Sequence, residues 1–161
     1  MTYYILILTI LCIACTSSSP IVKEVISADT ILLDNGQKVH YAALECPEKN
    51  TPLWEYARQA NAYLVEGKSV EILPEKNLFE GTLEAYIYTP VLVDKQKKYL
   101  FVNAEMVRFG FARVKPVAEN AREKGLWKNL WKLQEQEARP SKRGIWAGEI
   151  EDNNIKYNKK H

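Results

Sequence analysis

The chain has 161 residues, 47% of them hydrophobic and 26% charged, which is the composition of one globular domain around one core and excludes a disordered or fibrous chain. Its 22 basic and 20 acidic side chains leave a formal charge of only +2, so there is no large basic field of the kind that drives non-specific nucleic-acid binding. Low-complexity sequence is confined to Ser17-Ser18-Ser19 and the polar end after Gly148, and no internal repeat is present.

From Tyr3 to Ala14 the sequence is apolar except for Thr9. That length suits a signal-peptide core and falls short of the ~20 residues a membrane-spanning helix needs. The next residues, Leu11-Cys12-Ile13-Ala14-Cys15, resemble the bacterial lipobox, in which small residues precede a cysteine that is acylated and becomes the new N-terminus. The resemblance implies a signal peptide over residues 1–14, lipidation of Cys15 and a tether over 15–20; a folded domain is read over 21–148, and composition, with only Ile150, Ile155 and Tyr157 to bury, reads 149–161 as a polar, disordered tail. The expected location is the bacterial cell envelope, with the protein exported and lipid-anchored; Thr16 after the cysteine is compatible with the outer membrane. The expected partners are the membrane through the lipid and a component of the envelope, with the protein itself a monomer. With Cys12 removed and Cys15 acylated, Cys46 has no cysteine left to pair with, and it is read as a buried apolar residue or a free thiol.

In the mature chain, Ile21 to Ile26, Ile31 to Leu33 and Val39 to Leu44 are short runs rich in branched residues. The last two are joined across Asp34-Asn35-Gly36-Gln37, and Asn-Gly is a strong hairpin signal because a type I′ turn needs positive φ at both central positions. A helix is predicted from Leu53 to Glu66, with Ala57, Ala60 and Leu64 on one face and Gly67 as its stop. Ser69 to Leu73 and Leu83 to Tyr88 read as strands four and five, the latter extended by a charged hairpin loop across Asp94-Lys95-Gln96-Lys97-Lys98. A second helix spans Asn103 to Phe109 and ends at Gly110. A third starts near Lys124, carries Leu126, Leu130 and Leu133 as a stripe widened by Trp127 and Trp131, and ends or kinks at Pro140. Five strands with a helix after the third and two more at the end predict an α+β fold, a five-stranded OB barrel with about three packed helices.

Particular residues then coincide with this order of elements. Val25-Ile26-Ser27-Ala28-Asp29-Thr30 looks like V-x-D-G-D-T, Val39 to Glu48 looks like V-R-L-x-G-I-D-x-P-E, and Ala85-Tyr86-Ile87-Tyr88 looks like A-Y-V-Y. Val102 to Ala112 looks like V-N-x-x-L-V-x-x-G-x-A, and Glu137 to Trp146 looks like E-A-R-x-x-x-x-G-I-W. Five such fragments in order resemble the thermonuclease (staphylococcal nuclease-like) family.

The resemblance implies calcium held by two carboxylates and a backbone carbonyl, a glutamate as general base, and two arginines on the phosphate. By position Asp29 and Glu45 fall on the metal carboxylates, Cys46 on the carbonyl ligand and Glu48 on the base. Glu45 is one methylene longer than the family's aspartate. The cationic half is replaced: His40 stands at the first arginine, Thr82 at the second, Glu80 at a nucleotide-contacting tyrosine and Pro116 near another. Histidine and threonine lack a guanidinium's permanent charge and bidentate fork. The expectation is therefore a nuclease homologue with impaired or lost catalysis, serving as a binding or structural module. The alternative is a residual calcium-dependent nuclease with His40 as a weak phosphate binder and DNA or RNA as partner. Trp127, Trp131 and Trp146 are read as core residues and His40 as a partly buried strand histidine.

Overall fold

The computed structural model describes residues 18–147. The expected signal peptide, Cys15 and the polar tail lie outside the described residues.

The chain opens with a meander of three antiparallel strands, β1 (Val22–Ser27), β2 (Thr30–Leu33) and β3 (Lys38–Tyr41). Alternation is clear in β2 and β3, where Ile31, Leu33, Val39 and Tyr41 are buried. The third run breaks earlier than its composition predicts. Ala42 and Ala43 form a turn with Ala43 at φ 63°, and a separate short strand, β4 (Leu44–Glu45), pairs elsewhere.

Helix α1 (Pro52–Val65) begins where the local chemistry puts it. Thr51 is the N-cap, its hydroxyl accepting from the Trp54 amide at 3.2 Å, and Pro52 occupies the first turn, where no amide partner is needed. Strand β5 (Glu71–Asn77) is longer than predicted and runs through Pro74, which an edge strand tolerates and where the register against β6 (Leu83–Val93) is irregular. The charged loop is in fact a strand turn. β6 continues to Val93, Asp94 and Lys95 take φ 52° and 61°, and β7 (Gln96–Phe101) returns antiparallel to β6. The main sheet therefore has six strands in place of the expected five.

The path β1-β2-β3-β6-β5 includes one parallel pair, β3 with β6, and is brought back on itself where Ile21 bridges Ser69 and the Val22 amide donates to the Lys68 carbonyl at 3.0 Å. This is the predicted OB-like α+β arrangement. Helix α2 (Val102–Arg108) buries Val102, Asn103, Met106 and Val107 against it. Strand β8 (Arg113–Val114) pairs with β4, and α3 (Lys124–Leu133) runs on as a π-helical turn (Gln134–Ala138) that stops ahead of Pro140. The apolar stripe of α3 centres on buried Leu130. Trp131 is 42% exposed and so is not core, whereas Trp146 is buried and Trp127 half-buried. All buried hydrophobic residues among those described form one cluster between Val22 and Trp146, so residues 22–146 hold a core of their own.

Candidate functional site

Asp29 sits in the turn between β1 and β2, half-buried, and its carboxylate is the centre of a polar cluster. Ser27 donates its hydroxyl to Asp29 Oδ1 at 2.7 Å and Thr30 donates to the same oxygen at 3.1 Å. Register places Thr30 opposite His40, with Thr30 Oγ1 and His40 Nδ1 3.2 Å apart. The Thr30 hydroxyl has one proton, and with that proton on Asp29 the histidine's Nδ1–H is the donor to the threonine oxygen. His40 Nδ1 also lies 3.7 Å from Asp29 Oδ1. As the sequence predicts, His40 is a partly buried strand histidine, and its ring is engaged by these neighbours.

The Cys46 thiol lies against the same carboxylate. Burial, then the Asp29 charge beside it, pushes its pKa far above the ordinary thiol value, so it stays a neutral thiol. Cys46 is a half-buried free cysteine packed against the core, as expected.

Two asparagines missed in the sequence fix this cluster to the helices. Asn61 of α1 donates to the Ser27 carbonyl at 3.1 Å and accepts from the Tyr41 hydroxyl at 2.8 Å. Asn103 of α2 donates to the Ala42 carbonyl at 3.0 Å and accepts from the Ile87 amide at 2.9 Å, tying the turn between His40 and Glu45 to β6. The signal was present, since an amide on an otherwise apolar helical face asks for buried backbone partners. Which partners it finds is a tertiary fact.

Glu45 and Glu48 are exposed and line a cleft of about 340 Å³ with Cys46, Pro47, Arg113 and Ile145. Asp29 is not among the residues lining it. Arg113, unremarked in the sequence, comes to this cleft because β4 pairs with β8 and puts Glu45 opposite Arg113. Its guanidinium carbon lies 4.9 Å from the Trp146 ring centre, a cation–π contact.

Three lysines around the site, Lys68, Lys76 and Lys115, are engaged by other groups. Lys76 lies 3.0 Å and Lys115 3.6 Å from the two oxygens of Glu84, a nearly buried carboxylate. Lys68 donates to the Tyr63 and Leu64 carbonyls at the end of α1. Pro116 lines a second cavity, of about 280 Å³, together with Glu84 and both of its lysines. Thr82 follows Glu80, at φ 57°, and Gly81, in the turn leading into β6.

A calcium ion needs six to eight oxygen donors converging on one point. Here Asp29 Oδ1 accepts from two hydroxyls beside an imidazole, Glu45 shares its cleft with an arginine, and among the described residues no three His, Cys, Asp or Glu side chains are grouped to hold a metal. Of the residues expected to hold calcium, Glu45 and Cys46 line one cleft and Asp29 does not line it.

Compared with curated proteins, the chain finds no match. The profile of the family described as Staphylococcal nuclease homologue matches residues 38–148, which takes in His40, Glu45, Cys46, Glu48 and Thr82 and begins after Asp29. That family is calcium-dependent in general. With most of the chain matched, and with the OB-like sheet and its helices in the expected order, the chain belongs to the staphylococcal nuclease homologue family.

Proposed function

We propose that this chain is a nuclease-family domain in which phosphodiester hydrolysis is impaired or lost, and that it works as a binding or structural module of the bacterial envelope, carried there on acylated Cys15. The observation that bears most weight is the state of His40. At the position of a phosphate-binding arginine stands an imidazole whose Nδ1 is turned to Thr30 and Asp29, and Lys76, Lys115 and Lys68 are engaged by Glu84 or by the end of α1. Arginines acting on a phosphoryl transition state contribute on the order of 10³ to 10⁵ in rate, so their loss removes most of the acceleration.

Arg113 favours a second reading, a residual nuclease. It places a permanent cation in the cleft with Glu48, the residue at the position of the general base, so that one side of a phosphate could meet a guanidinium while the carboxylate faces the attacking water. The two readings separate in one experiment, hydrolysis of denatured DNA by residues 17–161 with calcium or with chelator, beside Glu48→Gln and Arg113→Ala. The expected result is no cutting above that of Glu48→Gln under either condition. Calcium-dependent cutting lost in both variants would establish the second reading.

A further inference from the structure

The β6–β7 pair outruns the rest of the sheet. β5 keeps register with β6 only as far as Glu71 opposite Tyr88, while β6 and β7 stay paired from Thr89–Leu100 to Val93–Gln96. At about 3.4 Å per residue, this arm stands roughly 17 Å beyond the last β5 register pair. Directly opposed residues share a face, so Leu92, Lys97 and Tyr99 lie on one side of the arm and Val91, Val93 and Lys98 on the other. Leu92 is 80% exposed, Tyr99 47% and Val93 40%, and Lys95, Lys97 and Lys98 are exposed around them. The Lys97 ammonium sits 5.1 Å from the Tyr99 ring centre, and Asp94 is the arm's one acid.

Lysines on an edge strand guard against pairing with other chains, but that role requires no exposed aliphatic side chains at the tip. Leu92 and Val93 cannot stack on nucleobases as aromatic side chains do. Aliphatic and aromatic groups interleaved with lysines match the boundary of an anionic bilayer, where the ammonium groups meet headgroup phosphates and the apolar groups meet the acyl chains. The position of the arm agrees. Ser19 donates to Glu71, the residue opposite Tyr88 at the root of the arm, at 2.8 Å, and the Pro20 carbonyl accepts from Val70 at 2.9 Å, so the chain enters the fold beside that root. Cys15 is four residues ahead of Ser19, a reach of at most about 14 Å.

We propose that the β6–β7 arm is a membrane-contact element that docks on anionic lipid and sets the orientation of the domain on the bilayer. The match with the tether rests on the proposed acylation of Cys15; the chemistry of the arm does not. Residues 17–161, which lack any acyl group, are to be co-sedimented with phosphatidylcholine vesicles with and without phosphatidylglycerol. Binding is expected only with the anionic lipid, weaker by about fivefold for each of Lys97→Ala and Lys98→Ala, and weakened also by Leu92→Ser, with unchanged circular dichroism. No binding, or binding indifferent to all three variants, overturns the proposal. So does binding to a single-stranded oligonucleotide, in place of vesicles, that the lysine variants weaken and Leu92→Ser does not. In cells, membrane fractionation of the full chain should be lost in Cys15→Ser and kept in Leu92→Ser. Fractionation that persists in Cys15→Ser removes the lipid anchor and leaves the vesicle result standing.

Discussion

Asn103 shows how much one side chain can hold in place. Its amide satisfies a carbonyl beside the turn that carries the chain from His40 to Glu45 and an amide of β6, both in the interior. Leaving buried partners unmet costs about 1–3 kcal/mol each, so Asn103→Ala should lose roughly 3 kcal/mol of stability, measured as a shift in the urea midpoint at unchanged slope. The surroundings of Asp29 were partly legible in the sequence. Ser27 and Thr30 are its chain neighbours, and the hairpin register that brings His40 opposite Thr30 follows from the Asn35-Gly36 turn. Asn61, the Cys46 thiol and above all Arg113 were not legible as members of the site, because each reaches it through a packing or pairing between segments far apart in sequence. That His40 and Thr82 stand where the resemblance places two arginines could be read directly. That the nearby lysines are engaged by Glu84 could not, since Glu84 is itself a carboxylate drawn into the interior of a strand.

Among the elements, helices were the most readable, since apolar spacing and the glycine stops Gly67 and Gly110 fixed α1 and α2 to within a residue or two. The strand signals failed where polar composition hid a period of two: Gln96-Lys97-Lys98 looks like a loop and is a ladder strand, because β6 supplies all of its backbone partners and its side chains need no core. The C-terminal run ending in Trp146 depends on a different kind of contact. Gly110 and Gly144 cross at backbone distance, the Ile145 amide donating to the Gly110 carbonyl at 2.9 Å, and a Cβ on Gly144 would fall 2.0 Å from that carbonyl oxygen. Gly144 also has φ 57°, which costs an L-residue about 1–2 kcal/mol before any clash. Gly144→Ala should therefore destabilise the domain by more than about 2 kcal/mol and displace the segment carrying Trp146, read as a red shift of tryptophan emission before global unfolding. A variant with native stability and native emission would contradict the crossing.

The whole molecule should weaken in alkali. Burial raises the pKa of Cys46 above its ordinary 9.0 and those of Tyr41 and Tyr86 above their ordinary 10.0. In the unfolded chain these groups lose their protons near the ordinary values, and in the folded chain they keep them. The unfolded state thus binds fewer protons above pH 9, and stability that is complete below that pH falls as pH rises through 9 to 11. Urea midpoints at pH 7 and pH 10.5 test this, with Cys46→Ala expected to reduce the difference; an equal midpoint at both would refute it. Charge and length gave the right scale for one core, and the order of elements gave the OB-like plan, but the order in which the strands come together follows from one pairing. β3 lies parallel to β6, so Val39 meets Leu83 only after α1 and β5 have been traversed. The meander β1-β2-β3 and the meander β5-β6-β7 can each zip up from local turns, whereas the seam between them closes a long loop and must be formed late. A nascent chain made only as far as α1 therefore exposes one edge of a finished meander, waiting on a partner still to emerge.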